Sequence, residues 1–372
     1  MSFLIYNFNF FDFIFRIVYN CCVMRNNNYF QSRDEENILK IRELRLELPA
    51  FCGQFFMGIE NQTMPLTRLG YARDLKIFFE FLVTNTQEFY GKKISELTLD
   101  DLNQVTSTHL EMFLDYLTVY KVDKKVYRNG LKGKGRKLSS VRALLKYFFK
   151  KEKIDNNVGT KVDTPRYRES EIIRLEVDEV VKILNISEEG SGMTTMEKGF
   201  HKHTKERDFA LLSLFLGTGI RISECVGLNV DDIDFENNAF TITRKGGSRV
   251  ILYFNDEVKD ALEKWMVIRN NNKEIPKDEK ALFISLQNKR MGVRAVEKLV
   301  KKYASYAAPL KKITPHKLRS TYGTNLYRET NDIYVVASVL GHKDVNTTRK
   351  HYAAMSEDIR REAATKVKLR KD

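Results

Sequence analysis

At 372 residues the chain is longer than one ordinary hydrophobic core supports, and it predicts two domains. Hydrophobic residues at 42% and charged residues at 30% describe a globular, water-exposed protein and exclude a disordered or fibrous one. The net charge of +14, from 63 Lys and Arg against 49 Asp and Glu, favours a polyanionic partner, with nucleic acid foremost.

The first 24 residues are aromatic-rich, but Asn7, Asn9, Asp12, Arg16 and Asn20 interrupt them and no basic segment precedes the apolar part. That pattern fits neither a signal peptide nor a spanning helix, and it predicts an extension over 1–30, with a true start at Met24. The run Asn37–Leu48 reads as a helix of the folded protein. Three further apolar faces spaced i, i+3, i+4, i+7 follow: Leu75/Phe78/Phe79/Leu82, Leu110/Phe113/Leu114/Leu117 and Val141/Leu144/Leu145/Phe148. They predict a helical bundle over 31–158. The last helix and its approach are densely basic, and Lys132, Lys134, Arg136, Lys137, Arg142 and Lys146 are the candidate DNA-backbone contacts. The segment Gly130–Lys137 looks superficially like a phosphate-binding loop. Arg136 stands where a Lys is required, however, and the sequence predicts no strand before it, so an ATPase is rejected.

Residues 159–174 read as a linker, lacking periodicity and carrying Gly, Pro and polar side chains. Over 175–372 helices are predicted at 176–185, 205–216, 255–270, 292–308, 316–328, 331–339 and 356–368. Between the second and third of these, AFTITR and VILYF form a hairpin joined by Lys245-Gly246-Gly247-Ser248. His201-Lys202-His203 looks like the paired His of metal-dependent nicking enzymes, but the intervening Lys and polar surroundings argue against a metal pair. Asp231, Asp232 and Asp234 read as a turn. Cys21, Cys22, Cys52 and Cys225 form no Cys-x-x-Cys or disulfide-like spacing, which points to a reducing cytoplasm without structural zinc.

The chemistry concentrates in six residues: Arg221, Lys245, His316, Arg319, His342 and Tyr352. Guanidiniums match phosphate oxygens bidentately, and a Tyr among cations can attack phosphorus to form a covalent ester. Arg221 follows Gly217 and Gly219 at a helix start, a natural anion seat, although pairing with Glu224 would account for it equally well. Pro315 with Thr314 before it marks a second helix start, and three-residue spacing puts His316 and Arg319 on one face.

Taken in order, GTGIRISE, TRKGGSR, TPHKLRST, LGHKDVNTT and Tyr352 resemble the catalytic domain of the tyrosine recombinases, the phage integrase family. The resemblance covers about 175–372, and the helical half resembles the family's core-binding, SAM-like domain more loosely. It implies a mainly α protein, an N-terminal helical core-binding domain plus an α-rich catalytic domain with a small antiparallel sheet, clamping double-stranded DNA. It also implies an Arg–Lys–His–Arg–His–Tyr set in which Tyr352 forms a 3′-phosphotyrosyl link and strands exchange through a four-way junction in a homotetramer. No metal, ATP or other cofactor, and no membrane, enters that chemistry. Two departures stand out. Ser320 replaces a frequent second His, and the turn reads RKGG, leaving Lys245 and Arg244 as alternative acids. A type IB topoisomerase and a non-catalytic DNA-binding relative are the competing readings. Within the recombinases the absence of an evident arm-binding domain leans towards a Xer-like enzyme over a mobile-element integrase. The tail after Tyr352, with Met355, Ile359 and Val367, is a candidate for docking onto a neighbouring protomer.

Overall fold

The computed structural model describes residues 29–122, 124–167, 173–244, 247–341 and 345. The chain divides into two compact units, Met1–Glu169 and Ser170–Asp372. Each is mainly helical with one small antiparallel sheet. Among the described residues no helix is long and apolar enough to cross a membrane.

In the first unit the helices are α1 (Tyr29–Arg45), α2 (Cys52–Gly58), α3 (Pro65–Asn85), α4 (Leu99–Asn103), α5 (Ser107–Tyr116) and α6 (Leu131–Lys150). The strands β1 (Val119–Val122) and β2 (Lys125–Arg128) lie between α5 and α6. The three apolar faces read from the sequence all point inward: Leu75, Phe78, Leu110, Phe113, Val141, Leu144, Leu145 and Phe148 are fully buried. Pro65 starts α3, where its missing N–H costs nothing, and capping boxes Thr98/Asp101 and Thr106/His109 start α4 and α5. The glycines of 130–135 do not form a phosphate loop. They lie at the start of α6, held helical by the buried stripe that follows.

The structure corrects three expectations. The linker expected from 159 begins inside this unit, since Ile154, Val158 and Val162 belong to its core. The β1–β2 hairpin was not anticipated; its register pairs Val119 with Arg128 and Tyr120 with Tyr127, and the two Tyr rings stack at 5.4 Å. The basic run of α6 is also less free than its composition suggests. Arg136 is bound by both terminal nitrogens to buried Asp74 (2.5 and 2.7 Å), which also accepts from Ser140. Lys137 is buried and donates to Asn129, and Arg142 holds the carbonyls of Gly159 and Val162. Lys132 lies over the Tyr167 ring at 4.7 Å, Lys134 donates to Thr118, and Lys146 is exposed.

The second unit contains α7 (Val177–Glu189), α8 (Thr195–His201), α9 (Lys205–Thr218), α10 (Ile222–Gly227), α11 (Asp256–Asn271), α12 (Val293–Ala307), α13 (Pro315–Thr330) and α14 (Ile333–Leu340). Its sheet runs β3 (Ile233–Asp234), β4 (Ala239–Thr243), β5 (Arg249–Tyr253) in that order, with Ile242 opposite Val250. Helix α9 is the pillar. Ala210, Leu211, Leu212, Leu214 and Phe215 are fully buried, and the helix packs against α7, α11 and α13. It stops at Gly219, whose left-handed φ of 62° suits glycine. A Cβ there would stand 2.5 Å from the Tyr322 ring, so α13 closes on this turn only because the residue is glycine. The expected helix at 356–368 and the docking tail lie outside the described residues.

Candidate active site

Arg221 caps α10. Its backbone N–H donates to Glu224 Oε2 at 2.9 Å and its Nη1 to Glu224 Oε1 at 2.8 Å. Glu224 is buried, so this is no casual surface pair: two bonds from Arg221 to one carboxylate fix the guanidinium's direction. The other side of the guanidinium donates through Nη2 to the carbonyls of Leu340 (3.2 Å) and Gly341 (3.0 Å). The Arg221 side chain keeps 37% of its surface open.

Arg319 comes from α13 and is buried. Its Nη1 donates to the Gly219 carbonyl at 2.5 Å and its Nη2 to the Leu340 carbonyl. It therefore ties the turn before Arg221 to the end of α14. A third guanidinium joins them: Arg244, at the end of β4, donates through Nη2 to the Val339 carbonyl at 3.1 Å. The last carbonyls of a helix carry partial negative charge, so the end of α14 is a natural seat for cations. Burial lowers the pKa of Arg244 from its ordinary value, with Glu224 opposing and Arg221 adding to that effect.

His316 is exposed in the first turn of α13, three residues before Arg319. Thr314 takes the cap position as expected, but its side chain makes no capping bond; its carbonyl accepts from the amides of Lys317 and Leu318. Ser320 turns its hydroxyl back onto the His316 carbonyl. The structure thus brings Arg221 and Arg319 to one helix end. Gly341, where that end stops, is the residue before His342. Lys245, His342 and Tyr352 lie outside the described residues.

Two contributors were missed in the sequence. Glu224 was visible three residues after Arg221, but it read as a reason to discount the Arg. Arg244 was visible only as a rival to Lys245. The paired His motif makes no metal pair. His201 is buried with its Nδ1 3.2 Å from the Tyr303 hydroxyl, whereas His203 is exposed. No group of three or more His, Cys, Asp or Glu able to hold a metal occurs among the described residues. Cys52 and Cys225 are buried free thiols whose pKa burial raises far above the ordinary value.

Residues 173–358 match the model of the phage integrase family. A tyrosine recombinase XerC of Caldanaerobacter subterraneus subsp. tengcongensis is 32% identical over 332 residues, covering 86% of this chain and 87% of that one. The chain belongs to the phage integrase family of tyrosine recombinases. Another member, the tyrosine recombinase XerS of Lactococcus lactis subsp. cremoris, is 28% identical and covers 87% of this chain and 97% of its own. The fold is shared with a XerH recombinase bound to palindromic difH substrate (TM-score 0.61, 19% identity, 81% of this chain and 80% of that one). It is shared also with the Tn1549 transposon integrase in complex with circular intermediate DNA (TM-score 0.56, 19% identity, 81% of this chain and 94% of that one).

Proposed function

We propose that this tyrosine recombinase is a Xer-like enzyme that cuts and rejoins specific DNA sites through Tyr352, without metal or nucleotide. The observation that supports the reading most is the convergence of Arg221 and Arg319 on the end of α14, immediately before His342. These two are the first and second arginines of the family's set. Tyr352 attacks the scissile phosphate, its phenolic proton passes to His316, and the 5′-oxygen leaves with a proton from Lys245. The ester becomes a 3′-phosphotyrosyl link, whose reversal by a new 5′-hydroxyl rejoins the strand. Ionising a free Tyr at pH 7 costs about 4 kcal/mol, which surrounding cations offset. Arg221 presents the open guanidinium to the non-bridging oxygens. Arg319 joins it where its carbonyl partners yield, and His342 donates a further bond. Four protomers on paired sites carry the exchange, and Lys132, Lys134 and Lys146 of the first unit contact the DNA backbone.

The test is a nicked suicide duplex, run with EDTA present. Wild type should form a covalent protein–DNA band on a denaturing gel. Tyr352→Phe should bind equally well and form none. An adduct surviving in Tyr352→Phe, or a wild-type adduct lost to EDTA, would refute the proposal.

A further inference from the structure

The end of α14 receives guanidiniums from three elements, α10, β4 and the neighbouring α13, and Arg244 is the one that the reaction scheme leaves without a task. Its Nη2 donates to the Val339 carbonyl at 3.1 Å. Its Nε is buried and has no hydrogen-bond partner among the described residues. The guanidinium lies flat against Gly341. A Cβ at that position would overlap Nη1 and Cζ of Arg244, and Gly341 also has a left-handed φ of 61°. Glycine there serves two needs at once, ending the helix and admitting the arginine. On the other side, the Arg244 amide donates to Ser248 O at 2.9 Å and its carbonyl accepts from Gly247 at 3.0 Å. Arg244 therefore belongs to the closed base of the β4–β5 turn as well as to the end of α14.

Position in the chain gives this contact its meaning. Lys245 is the next residue after Arg244, and His342 is the next residue after Gly341. Consecutive Cα atoms are about 3.8 Å apart, so each of these side chains springs from within one residue of the same contact. We infer that Arg244 is a positioning residue for cleavage: its guanidinium tethers the turn that carries Lys245 to the helix end that leads into His342. A lysine could reach one carbonyl as a point charge, but it lacks the plane that packs on Gly341. Arg244 acts through its two neighbours and does not itself touch the phosphate. The inference rests on the roles proposed for Lys245, His342 and Tyr352.

The experiment is single-turnover cleavage by wild type, Arg244→Ala, Arg244→Lys and Lys245→Ala. Each is run on a suicide duplex with an ordinary phosphodiester and on one with a 5′-bridging phosphorothioate. The thiolate leaving group needs little protonation, because thiols have pKa near 8.5 and alcohols far higher. Lys245→Ala should therefore return to near the wild-type rate on sulfur. Arg244→Ala should cleave ordinary DNA about 10²-fold more slowly, the scale of a misplaced catalytic group. Sulfur should restore only part of that loss, because the His342 side of the tether is still released. Arg244→Lys should recover part of the rate on both substrates, and affinity for DNA should be unchanged in all variants. Wild-type cleavage by Arg244→Ala would overturn the tether. So would full rescue by sulfur, which would confine Arg244 to the acid step, and so would a parallel fall in affinity, which would make it a DNA anchor. Arg244→Lys and a thermal melt of each variant separate these outcomes from simple misfolding. A wild type with no Tyr352-dependent adduct would instead refute the underlying reading of the site.

Discussion

The two units are held together by different chemistry. In the first, phenyl rings meet edge to face: Phe51 with Phe79 and Phe148, and Phe78 with Phe113, at centroid distances of 5.1–5.9 Å. In the second, six arginines reach across to main-chain carbonyls: Arg207 to Ile284, Arg269 to Ala281, Arg290 to Val226 and Leu228, Arg319 to Gly219, and Arg221 and Arg244 to the end of α14. The first unit has a counterpart in Arg142, which fixes Gly159 and Val162. Apolar packing fills volume without specifying direction, whereas a planar guanidinium bonded to two carbonyls fixes where a loop lies. A unit that presents a surface can rely on the first. A unit that, on the proposed reading, aims several side chains at one phosphorus needs the second.

The largest expected effect separates the two on activity. Arg319→Ala should slow cleavage by about 10²–10³, the usual cost of one preorganised donor, and should also lower the second unit's melting temperature, because the Gly219 carbonyl loses this donor and the Leu340 carbonyl keeps only Arg221. Arg221→Ala should match it in cleavage with less effect on melting, since its side chain is partly open. Single-turnover rates beside thermal melts check both. Equal melting losses would mean that burial does not distinguish the two arginines.

Phe113→Ala tests the other side of the comparison. Its ring is fully buried between Phe78 and Phe81, so removal should cost about 3–5 kcal/mol of stability in urea unfolding. Cleavage by the folded, DNA-saturated fraction should stay near wild type. A cleavage defect as deep as that of Arg319→Ala would show that the aromatic core also aims the chemistry.

A smaller effect comes from the buried chain His201–Tyr303–Asp208–Arg207. Tyr303 donates to Asp208 at 2.9 Å, and Asp208 is held by Arg207 at 2.6 and 2.9 Å. Tyr303→Phe should cost about 1–2 kcal/mol. Desolvation by burial lowers the His201 pKa, Lys302 lowers it further, and Asp208 opposes them. The folded state therefore prefers the neutral ring and the unfolded chain binds the proton more readily. The resulting stability is complete above about pH 6.5 and declines as the pH falls below it. Melting of the second unit between pH 7.5 and 5.5 should show this decline, and His201→Asn should flatten it. An unchanged slope would remove His201 from the account. The smallest effect belongs to Lys146→Ala on α6, which should leave stability within about 0.5 kcal/mol while weakening DNA binding and its salt dependence.

Legibility in the sequence followed the range of the interaction. The apolar stripes of α3, α5 and α6 and the hairpin β4–β5 were readable because their signals repeat within a few residues. The β1–β2 hairpin escaped because the sequence from Val119 to Arg128 has no glycine turn signal, and its valines sit among lysines that read as a solvated run. Helix α8 escaped because it buries little more than His201 and is defined by the Thr194/Glu197 capping box rather than by an apolar face. At the candidate site, Arg221, His316 and Arg319 were singled out from local motifs. What engages them was not. The carbonyls that hold Arg221 lie 119 and 120 residues away, and the Asp74 that occupies Arg136 lies 62 residues away. No local pattern reports such partners.

The oxygens of Val339, Leu340 and Gly341 already sit where arginine donors would otherwise be empty. A phosphate arriving there exchanges one set of acceptors for another and adds few bonds in total, so its net gain in binding energy is modest. Stray anions, which offer charge without the shape of a seated duplex, gain little by entering. The α14 carbonyls thus act as a threshold. On the proposed reading they favour a seated duplex by geometry and leave affinity for DNA to be supplied elsewhere on the protein.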